Sequence, residues 1–524
     1  MFKKNSFRTR REFLRSSAGV ALTMPVFFEA VTGQARDVSW PRKDLSPLFA
    51  AGSAPLDSAE SAIEFDSSDA KLVQGFQWAK SQALAYVRNG DPIGAWYEAA
   101  LPGRNAFCMR DVSHMSTGAQ FLGLGRRTKN MLRHFVDHIS AAKNWCTWWE
   151  ITREDKPAPV DYNNDHDFWY DLPASFDVVD ACYRQWLWSR DNGYLDEVFL
   201  NYYHHTVTDY VEAWDHNHDG LLEHLPQYGH MGIATYDEDL SNEVLVGADL
   251  IAAQYAAYRC YGAIQRARNE PGDSTQFEAK ADSLKSLYNG KWWDASRNSF
   301  YAALGEDRQF HRNLKASTGG SDIEFPLYFQ LTDAGFKTQA SLDELNRRLQ
   351  LDEAAINGVV GGVEGRTYLP DIFYKYGRSQ SGYTALIAMM NPSLKRREYP
   401  EVSYTVVGNL GAGLMGLRPL ARDGMIETYP QLTVETKWAA LSHVPVGKNV
   451  LSIRHTENRE TTLTNETGPA ISWRASFPGK ADILVIGGRK VTAQNAVRLG
   501  GASETYDVLE IGPGETRGVT VQPG

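Results

Sequence analysis

Apolar side chains recur at helical spacing along most of the chain between residues 69 and 418. Leu72, Phe76 and Ala79 follow one another at intervals of four and three residues, the spacing of one face of an amphipathic helix, so a first helix is predicted over 69–89. The same criterion predicts further helices at 113–125, 127–143, 173–191, 193–214, 242–268, 273–290, 323–332, 338–350, 366–377, 379–391 and 402–418.

The predicted connections alternate between tight and long. Those at 125–127 and 191–193 are tight, whereas those at 90–112, 144–172, 215–241 and 392–401 are long and rich in Trp, Asp, Glu and His. Short loops at one end and long polar loops at the other are typical of helical hairpins with one functional face. About twelve helices that close into a ring predict a mainly α fold, an (α/α)6 toroid over residues 69–420.

After residue 417 the pattern changes to short β-branched segments separated by Gly, Asn and Pro. The predicted strands are 433–438, 449–454, 461–464, 470–474 and 482–486. This pattern is typical of an antiparallel β-sandwich, which we expect over 421–524. Residues 36–68, rich in Ser, Ala and Pro, are predicted to be an extended lead-in.

The first 35 residues resemble a twin-arginine (Tat) export signal. Arg10 and Arg11 precede Phe13-Leu14, a mildly apolar stretch at 19–28 and small residues around position 35. The apolar stretch is too short to span a bilayer. The sequence therefore predicts a signal peptide at 1–35 and a periplasmic or secreted protein. Because Tat substrates fold before export, the four cysteines need not pair.

Composition excludes several classes of protein. The chain has 524 residues, 43% of them hydrophobic, and a formal net charge of −10, which argues against a disordered chain and against a nucleic-acid partner. It contains no phosphate-binding loop, dinucleotide fingerprint, HExxH or Gly-x-Ser-x-Gly motif. The cysteines form no CxxC pair, so no metal centre is predicted from them.

A Phe followed by Arg-Asp stands in the long connection after the first helix. Phe107, Arg110 and Asp111 resemble the aromatic-x-Arg-Asp motif of the six-hairpin glycosidases, which include glucoamylase-like and rhamnosidase-like enzymes. The resemblance implies that Arg110 and Asp111 bind hydroxyls of the sugar, since a carboxylate accepts from neighbouring hydroxyls and a guanidinium donates to them. The alternative is a structural ion pair.

Aromatic and polar residues concentrate in the next long connection. Trp148, Trp149 and Glu150 could stack on a pyranose and hold a hydroxyl, and Asp165 and Trp169 follow in the same loop. One of the tryptophans could instead be part of the core. Residues 165–167 are unlikely metal ligands, because three consecutive side chains rarely converge on one ion.

The resemblance to glucoamylase-like enzymes places the general acid just before the sixth helix. Asp239-Leu-Ser-Asn242-Glu243 runs parallel to the family's motif, but Asn242 occupies the position of the catalytic Glu. Glu243 and Asp239 are therefore the candidates for the acid. Glu243 could also be a first-turn acidic residue favoured by the helix dipole.

The last long connection is where the resemblance places the general base. Glu401 is the candidate, expected to be ionised in a polar, hydrogen-bonded pocket. Glu364 is a further candidate, whereas Glu398 beside Arg396 is interpreted as a member of an ion pair.

Asp215, Asn217 and Asp219 reproduce the opening of a calcium loop, but Pro226 stands where the bidentate Glu is required. Such clusters also form turns without metal. Calcium is thus a weak candidate, and no other cofactor is predicted.

These observations predict an exported glycoside hydrolase that acts on an exposed end of an oligosaccharide or glycoside, with inversion through two carboxylates. It is expected to have no nucleic-acid partner and no membrane association once the signal is removed. A polysaccharide lyase is the first alternative, with Tyr and His as its catalytic groups; the available ones are Tyr162, His166, His204, His205 and His230. A non-catalytic carbohydrate-binding protein is the second.

Overall fold

The computed structural model describes residues 61–236, 244–312, 323–355, 363–420 and 425–522. The helices in these ranges are α1 (Ala70–Ala85), α2 (Met109–Phe121), α3 (Gly125–Asp137), α4 (Pro173–Ser189), α5 (Glu197–Val207), α6 (Asp209–Trp214), α7 (Ala248–Ala267), α8 (Pro271–Lys291), α9 (Glu324–Tyr328), α10 (Phe336–Ala355), α11 (Val363–Lys375), α12 (Ser379–Met390) and α13 (Pro400–Gly408). A π-helical segment, Asn409–Leu414, continues α13.

The helices form two concentric rings. Neighbouring contacts run from α2 to α4, α7, α9, α11 and α13 and back to α2, which closes an inner ring of six. The remaining helices pack outside it, and α5 and α6 act as one outer segment interrupted at Thr208. The predicted (α/α)6 toroid is confirmed, and each predicted helical stretch corresponds to helical structure.

Every inner helix follows an outer one, so all six inner helices start at the same end of the ring. The connections into this end before α2, α4, α7 and α9 are long and contain short strands. The helix α2 begins at Met109, four residues before the predicted start. Arg110 and Asp111 therefore lie in its first turn and not in the preceding loop, which is a correction to the sequence analysis.

The strands in the described ranges are β1 (Glu64–Ser67), β2 (Val87–Asp91), β3 (Gly94–Tyr97), β4 (Ala106–Cys108), β5 (Glu150–Thr152), β6 (Tyr162–Asn164), β7 (Asp167–Phe168), β8 (Tyr170–Asp171), β9 (Met231–Ile233), β10 (Val244–Gly247), β11 (Trp293–Asp294), β12 (Ser299–Phe300), β13 (Ala303–Gly305), β14 (Phe310–His311), β15 (Arg418–Leu420), β16 (Met425–Thr428), β17 (Trp438–Val446), β18 (Asn449–Thr456), β19 (Glu460–Thr467), β20 (Ile471–Pro478), β21 (Ile483–Ile486), β22 (Arg489–Thr492), β23 (Gln494–Val497), β24 (Ser503–Ile511) and β25 (Thr516–Val521).

The C-terminal strands form two sheets. Their orders are β1-β17-β18-β19-β25-β21-β22 and β15-β16-β20-β24-β23, and the pairs are antiparallel apart from β16 with β20. Alternate residues of β17 to β20 are buried, as expected for sheets that cover one core. The predicted antiparallel β-domain is confirmed.

Two details differ from the prediction. Residues 64–67, expected in the lead-in, pair antiparallel with β17 and so join the C-terminal sheet. Residues 433–436 form a turn and not a strand, with Val434 79% exposed, because its apolar side chain finds no core to pack against there.

Candidate active site

Acidic and aromatic side chains from the first two turns of several inner helices lie together inside the ring. Asp111 on α2, Asp177 on α4, Tyr368 on α11 and Glu401 on α13 are all buried. Electrostatic interactions join Asp111 to Glu401 and Asp177 to Tyr368. They converge because the inner helices all begin at this end.

Glycines allow α2 and α13 to approach closely. A Cβ on Gly118 would collide with the backbone oxygen of Tyr404, and one on Gly408 would lie 3.1 Å from the Gly118 nitrogen. A larger residue at Gly118 would therefore force the two helices apart. Their close contact brings the start of α2 next to the start of α13.

Glu401 is hydrogen-bonded to His114, three residues after Asp111 on α2. Glu401 Oε1 lies 2.6 Å from His114 Nδ1, and the His114 ring stacks on Tyr368 at 3.6 Å between centroids. Burial lowers the pKa of His114 to about 3, so its imidazole is neutral. Glu401 Oε2 is buried and has no hydrogen-bond partner within the described residues.

Burial raises the pKa of Glu401 to about 8. The positive charges of Arg110 and Arg396 oppose this rise and Glu364 adds to it. Glu401 is 1% exposed, so its charged form loses almost all contact with water. The expectation of a polar pocket that keeps this carboxyl ionised is therefore wrong: the carboxyl is buried, and its neutral form is favoured at pH 7.

Asp111 accepts a hydrogen bond from the hydroxyl of Tyr399, the residue before α13. Burial and the neighbouring Glu401 raise the pKa of Asp111 to about 7, against the opposing effects of Arg110 and the Tyr399 hydrogen bond. Two carboxyls in one dry site disfavour each other's ionisation. The pair therefore holds at least one proton near neutral pH.

On the other side of the site the hydroxyl of Tyr236 donates to Asp177. Burial raises the pKa of Asp177 well above its ordinary value. The guanidinium of Arg110 lies 5.5 Å from the centre of the Tyr236 ring. Arg110 therefore stands between this pair and the Asp111–Glu401 pair.

Aromatic rings close the inner end of the site. Tyr368 contacts Phe325 at 4.8 Å and Tyr328 at 5.0 Å between centroids, and Tyr236 contacts Phe325 at 4.4 Å. This group forms an aromatic floor beneath the carboxyls. Aromatic surface beside carboxyl groups suits the apolar faces and hydroxyl rims of a sugar.

Glu364, at the start of α11, forms an ion pair with Arg396, whose Nη2 lies 2.7 Å from Glu364 Oε1. The sequence analysis assigned Arg396 to Glu398, which is wrong. Glu398 is exposed, and its backbone oxygen accepts a hydrogen bond from the hydroxyl of Tyr86. Glu364 nevertheless acts electrostatically on Glu401, so it belongs to the edge of the site.

The tryptophans predicted to stack on sugar are differently placed. Trp149 is 3% exposed and packs edge-on against Trp169 at 4.4 Å, so its ring faces contact protein, a correction to the platform interpretation. Trp148 stacks on His138 at 3.5 Å. Ligand contact by Trp148 or the partly buried Trp169 stays a prediction.

Glu150 is a structural residue in this fold. It is buried, and its Oε2 lies 2.5 Å from Arg104 Nη1. Burial and Asp161 raise the pKa of Glu150 to about 8, so the interpretation as a hydroxyl ligand is corrected to a buried polar cluster. Asp165 accepts from the Tyr162 hydroxyl at 2.6 Å and is 42% exposed as a side chain; a role in ligand binding stays a prediction.

Asp239 and Glu243 lie outside the described residues, as does Asn242. The flanking residues are nevertheless informative. Tyr236 is part of the site, and β10 begins at Val244 and leads directly into α7. Both ends of the intervening segment are thus held at the end of the ring where Glu401 lies.

The side chains considered for a lyase do not gather around Glu401. His204 contacts the Tyr261 hydroxyl at 3.2 Å and His205 bonds Asp209 at 2.6 Å, both on the outer helix α5. Tyr162 bonds Asp165, while His166 and His230 are in connections outside the inner ring.

The Asp215 loop is held by hydrogen bonds to its own backbone. Asp215 accepts from the amides of Asp219 and Gly220 at 3.0 and 2.8 Å, and Asn217 accepts from Asp219 at 2.9 Å. In the described part of the chain no group of three or more His, Cys, Asp or Glu is arranged to hold a metal. Calcium at Asp215, Asn217 and Asp219 stays an untested prediction.

The sequence analysis missed His114, Asp177, Tyr236 and Tyr399. For His114 a signal existed, because Asp111 and His114 are three residues apart and so share one helical face. For the others, adjacency depends on which helices meet, and a single sequence does not show that.

No family model matches the chain and no curated protein matches it. The chain is similar in structure to an α-L-rhamnosidase from Dictyoglumus thermophilum, with a TM-score of 0.55, 14% identity, 88% of this chain and 51% of that chain covered. It is also similar to an α-L-rhamnosidase from Aspergillus terreus, with a TM-score of 0.54 and 14% identity; 86% of this chain and 50% of that chain are covered. A third similar structure is titled "Putative kojibiose phosphorylase from human microbiome"; its TM-score is 0.53 and its identity 12%, with 87% of this chain and 67% of that chain covered.

The chain thus spans about half the length of these two rhamnosidases. At this identity the similarity establishes the fold, a toroid of helical hairpins with a β-domain, and carries no residue correspondence. Among the helices that the structure describes, none is long and apolar enough to cross a membrane.

Proposed function

We propose that this protein is a glycoside hydrolase that acts on an exposed glycosidic end. The observation that carries the proposal is the pair of buried carboxyls, Glu401 and Asp111, above an aromatic floor at the end of the ring reached by the long connections. The fold supports it, because the similar solved structures named above include enzymes called rhamnosidases.

In this proposal Glu401 is the general base. His114 holds one carboxyl oxygen and leaves Oε2 for a water molecule. A carboxylate whose conjugate acid has a pKa near 8 is a stronger base than an exposed one. The water that it deprotonates attacks the anomeric carbon, and the proton ends on Glu401.

The general acid is Asp239 or Glu243. The described residues on either side of this segment, Tyr236 and Val244, lie at the end of the ring where Glu401 lies. A single displacement with inversion needs a separation of roughly 6.5–9.5 Å between the two carboxyls. Asp111 and Arg110 are proposed to bind hydroxyls of the sugar at the reacting position.

The test is a hydrolysis screen against chromogenic α- and β-glycosides with wild type, Glu401→Gln and the matched control Glu398→Gln. Glu398 is three residues away and exposed, so its substitution should leave turnover unchanged. Glu401→Gln should lower turnover by about 10²–10⁴. The anomer formed first, read by NMR, reports inversion or retention.

Two outcomes would replace the proposal. Ultraviolet absorbance from an unsaturated product with uronate polymers would indicate a lyase. Sugar binding without turnover, unaffected by Glu401→Gln, would indicate a binding protein.

We also propose, from the twin-arginine leader, that the enzyme acts outside the cytoplasm.

A further inference from the structure

A second cavity lies inside the ring at the far end of the inner helices. Its volume is about 370 Å³, and we call it the back chamber. On α4 its lining runs from Asp180 to Trp188, whereas Asp177 belongs to the candidate active site. From Asp177 to Arg184 a helix advances about 10 Å. His114 and Tyr328, which pack around Tyr368, line the back chamber on the side of the candidate active site.

The charged groups of the back chamber are unequal in number. Two carboxylates and four cationic side chains line it: Asp180, Asp371, Arg184, Arg259, Lys375 and Arg418. Arg184 Nε bonds Asp180 Oδ2 at 2.7 Å, and Lys375 Nζ lies 3.1 Å from Asp371 Oδ2. With His114 neutral, the lining carries a formal excess of two positive charges.

Arg418, the first residue of β15, is one of the four cations of this lining. Its Nε–H donates to the backbone oxygen of Ala412 at 3.2 Å, a neutral acceptor. The carboxylates that act on it are those of Asp371 and Glu427. Both are already engaged, Asp371 by Lys375 and Glu427 by arginines of the β-domain. Burial and the neighbouring positive charge of Arg498 lower the pKa of Arg418, against the opposing effects of Asp371 and Glu427.

An independent observation concerns Thr405 on α13. Its side chain lines the back chamber and is 5% exposed, and its Oγ1 has no hydrogen-bond partner within the described residues. Buried hydroxyls in folded proteins are almost always paired, because an unpaired one loses its bonds to water without replacement. A ligand in the chamber would supply the missing partner.

We propose that the back chamber binds a small oxyanion, a carboxylate or phosphate group, between the Arg418 guanidinium and the Thr405 hydroxyl. The guanidinium donates to such an anion and the hydroxyl donates one further bond. The volume is at the lower end of the range for small-molecule sites. The chamber is reachable, since Leu187, Ala263 and Pro419 on its lining are partly exposed.

The experiment is calorimetric titration of the full-length mature protein with inorganic phosphate and, separately, with acetate, at constant ionic strength set by sodium chloride. Saturable binding with one site is expected for at least one of them. Arg418→Gln should weaken it about tenfold or more. The control is Arg459→Gln, an exposed arginine of the β-domain, which should bind as wild type does.

Phosphate-only or acetate-only binding identifies which source of the oxyanion the chamber takes. The proposal is overturned if neither anion binds saturably, or if Arg418→Gln binds as tightly as wild type. Should Arg418→Gln fail to fold, the same titration is made with Thr405→Val, which keeps the shape of the side chain. An anion affinity equal to that of wild type overturns the proposal, and a severalfold loss of affinity supports it. Because binding is read directly, the result is independent of glycosidase activity.

Discussion

Replacing Glu401 by Gln should lower turnover by about 10²–10⁴ and yet stabilise the protein at high pH. Gln keeps the shape of the side chain and can still accept a hydrogen bond from a His114 Nδ1–H through its carbonyl oxygen. It cannot ionise. The substitution therefore removes one property, the negative charge that the wild-type site must accommodate in a dry environment.

The magnitude follows from the pKa shift. The pKa of Glu401 rises from 4.5 to about 8 on folding, and one pKa unit corresponds to about 1.4 kcal/mol. A raised carboxyl pKa favours the folded state fully below the unfolded pKa, and this contribution is lost as the pH rises through the folded pKa. As the pH rises from 4.5 to above 8, the free energy of unfolding of wild type should thus fall by up to about 5 kcal/mol relative to that of Glu401→Gln.

The assay is thermal unfolding of wild type, Glu401→Gln and Glu398→Gln at pH 5, 7 and 9, beside turnover at each pH. The midpoint of wild type should fall from pH 5 to pH 9 relative to that of Glu401→Gln. Glu398 is exposed, so its variant should follow wild type throughout. Asp111 remains in both proteins, but Glu401 raises its pKa, so the comparison reports the two carboxyls as a coupled pair.

Parallel curves for wild type and Glu401→Gln would refute the claim that burial raises this pKa. Full activity of Glu401→Gln would refute its assignment as the base. The two results are separable, because one is read from unfolding and the other from turnover.

Further predictions concern the neighbours of the base, the acid and the leader. Because the base must be ionised, the acidic limb of the wild-type kcat/KM profile is expected near pH 8. His114→Ala removes a hydrogen bond to Glu401, so this limb should move to higher pH. An unmoved limb would mean that His114 is only structural. Of Asp239→Asn and Glu243→Gln, one alone should lower turnover by about 10²–10⁴, and the loss should shrink for substrates with good leaving groups; if neither behaves so, the acid lies elsewhere. Changing the twin arginines at 10 and 11 to Lys should leave precursor in the cytoplasm by immunoblot, and normal export would indicate another route.

The helices could be predicted from the sequence because each depends on residues close together in the chain. Leu72, Phe76 and Ala79 form one buried face of α1 whatever the helix packs against. The short hairpins in the long connections were not predicted, since β2 and β3 together offer only nine residues and little alternation. At 433–436 the β-branched residues predicted a strand, but the structure has a turn there, because tertiary contacts do not stabilise a strand at these positions.

The candidate site was only partly predictable, for the same reason. Asp111 and Glu401 were chosen because they stand in long connections, at positions that resemble sites of the six-hairpin glycosidases, and both the motif and the connection are local properties. Glu150 had equally suggestive neighbours, but it is bound to Arg104, 46 residues away, and no local pattern shows that partner.

By itself, the sequence determined the helical stretches of the ring and several strands of the β-domain. It also narrowed the candidate carboxyls to a few positions, since periodicity and chain order are local. Only the tertiary structure decided which of those carboxyls share a site. His114 and Glu401 are 287 residues apart and meet because the ring closes α13 onto α2, where Gly118 permits close contact. The protonation of the site was decided there too, because the cost of a buried charge depends on every atom that replaces water around it.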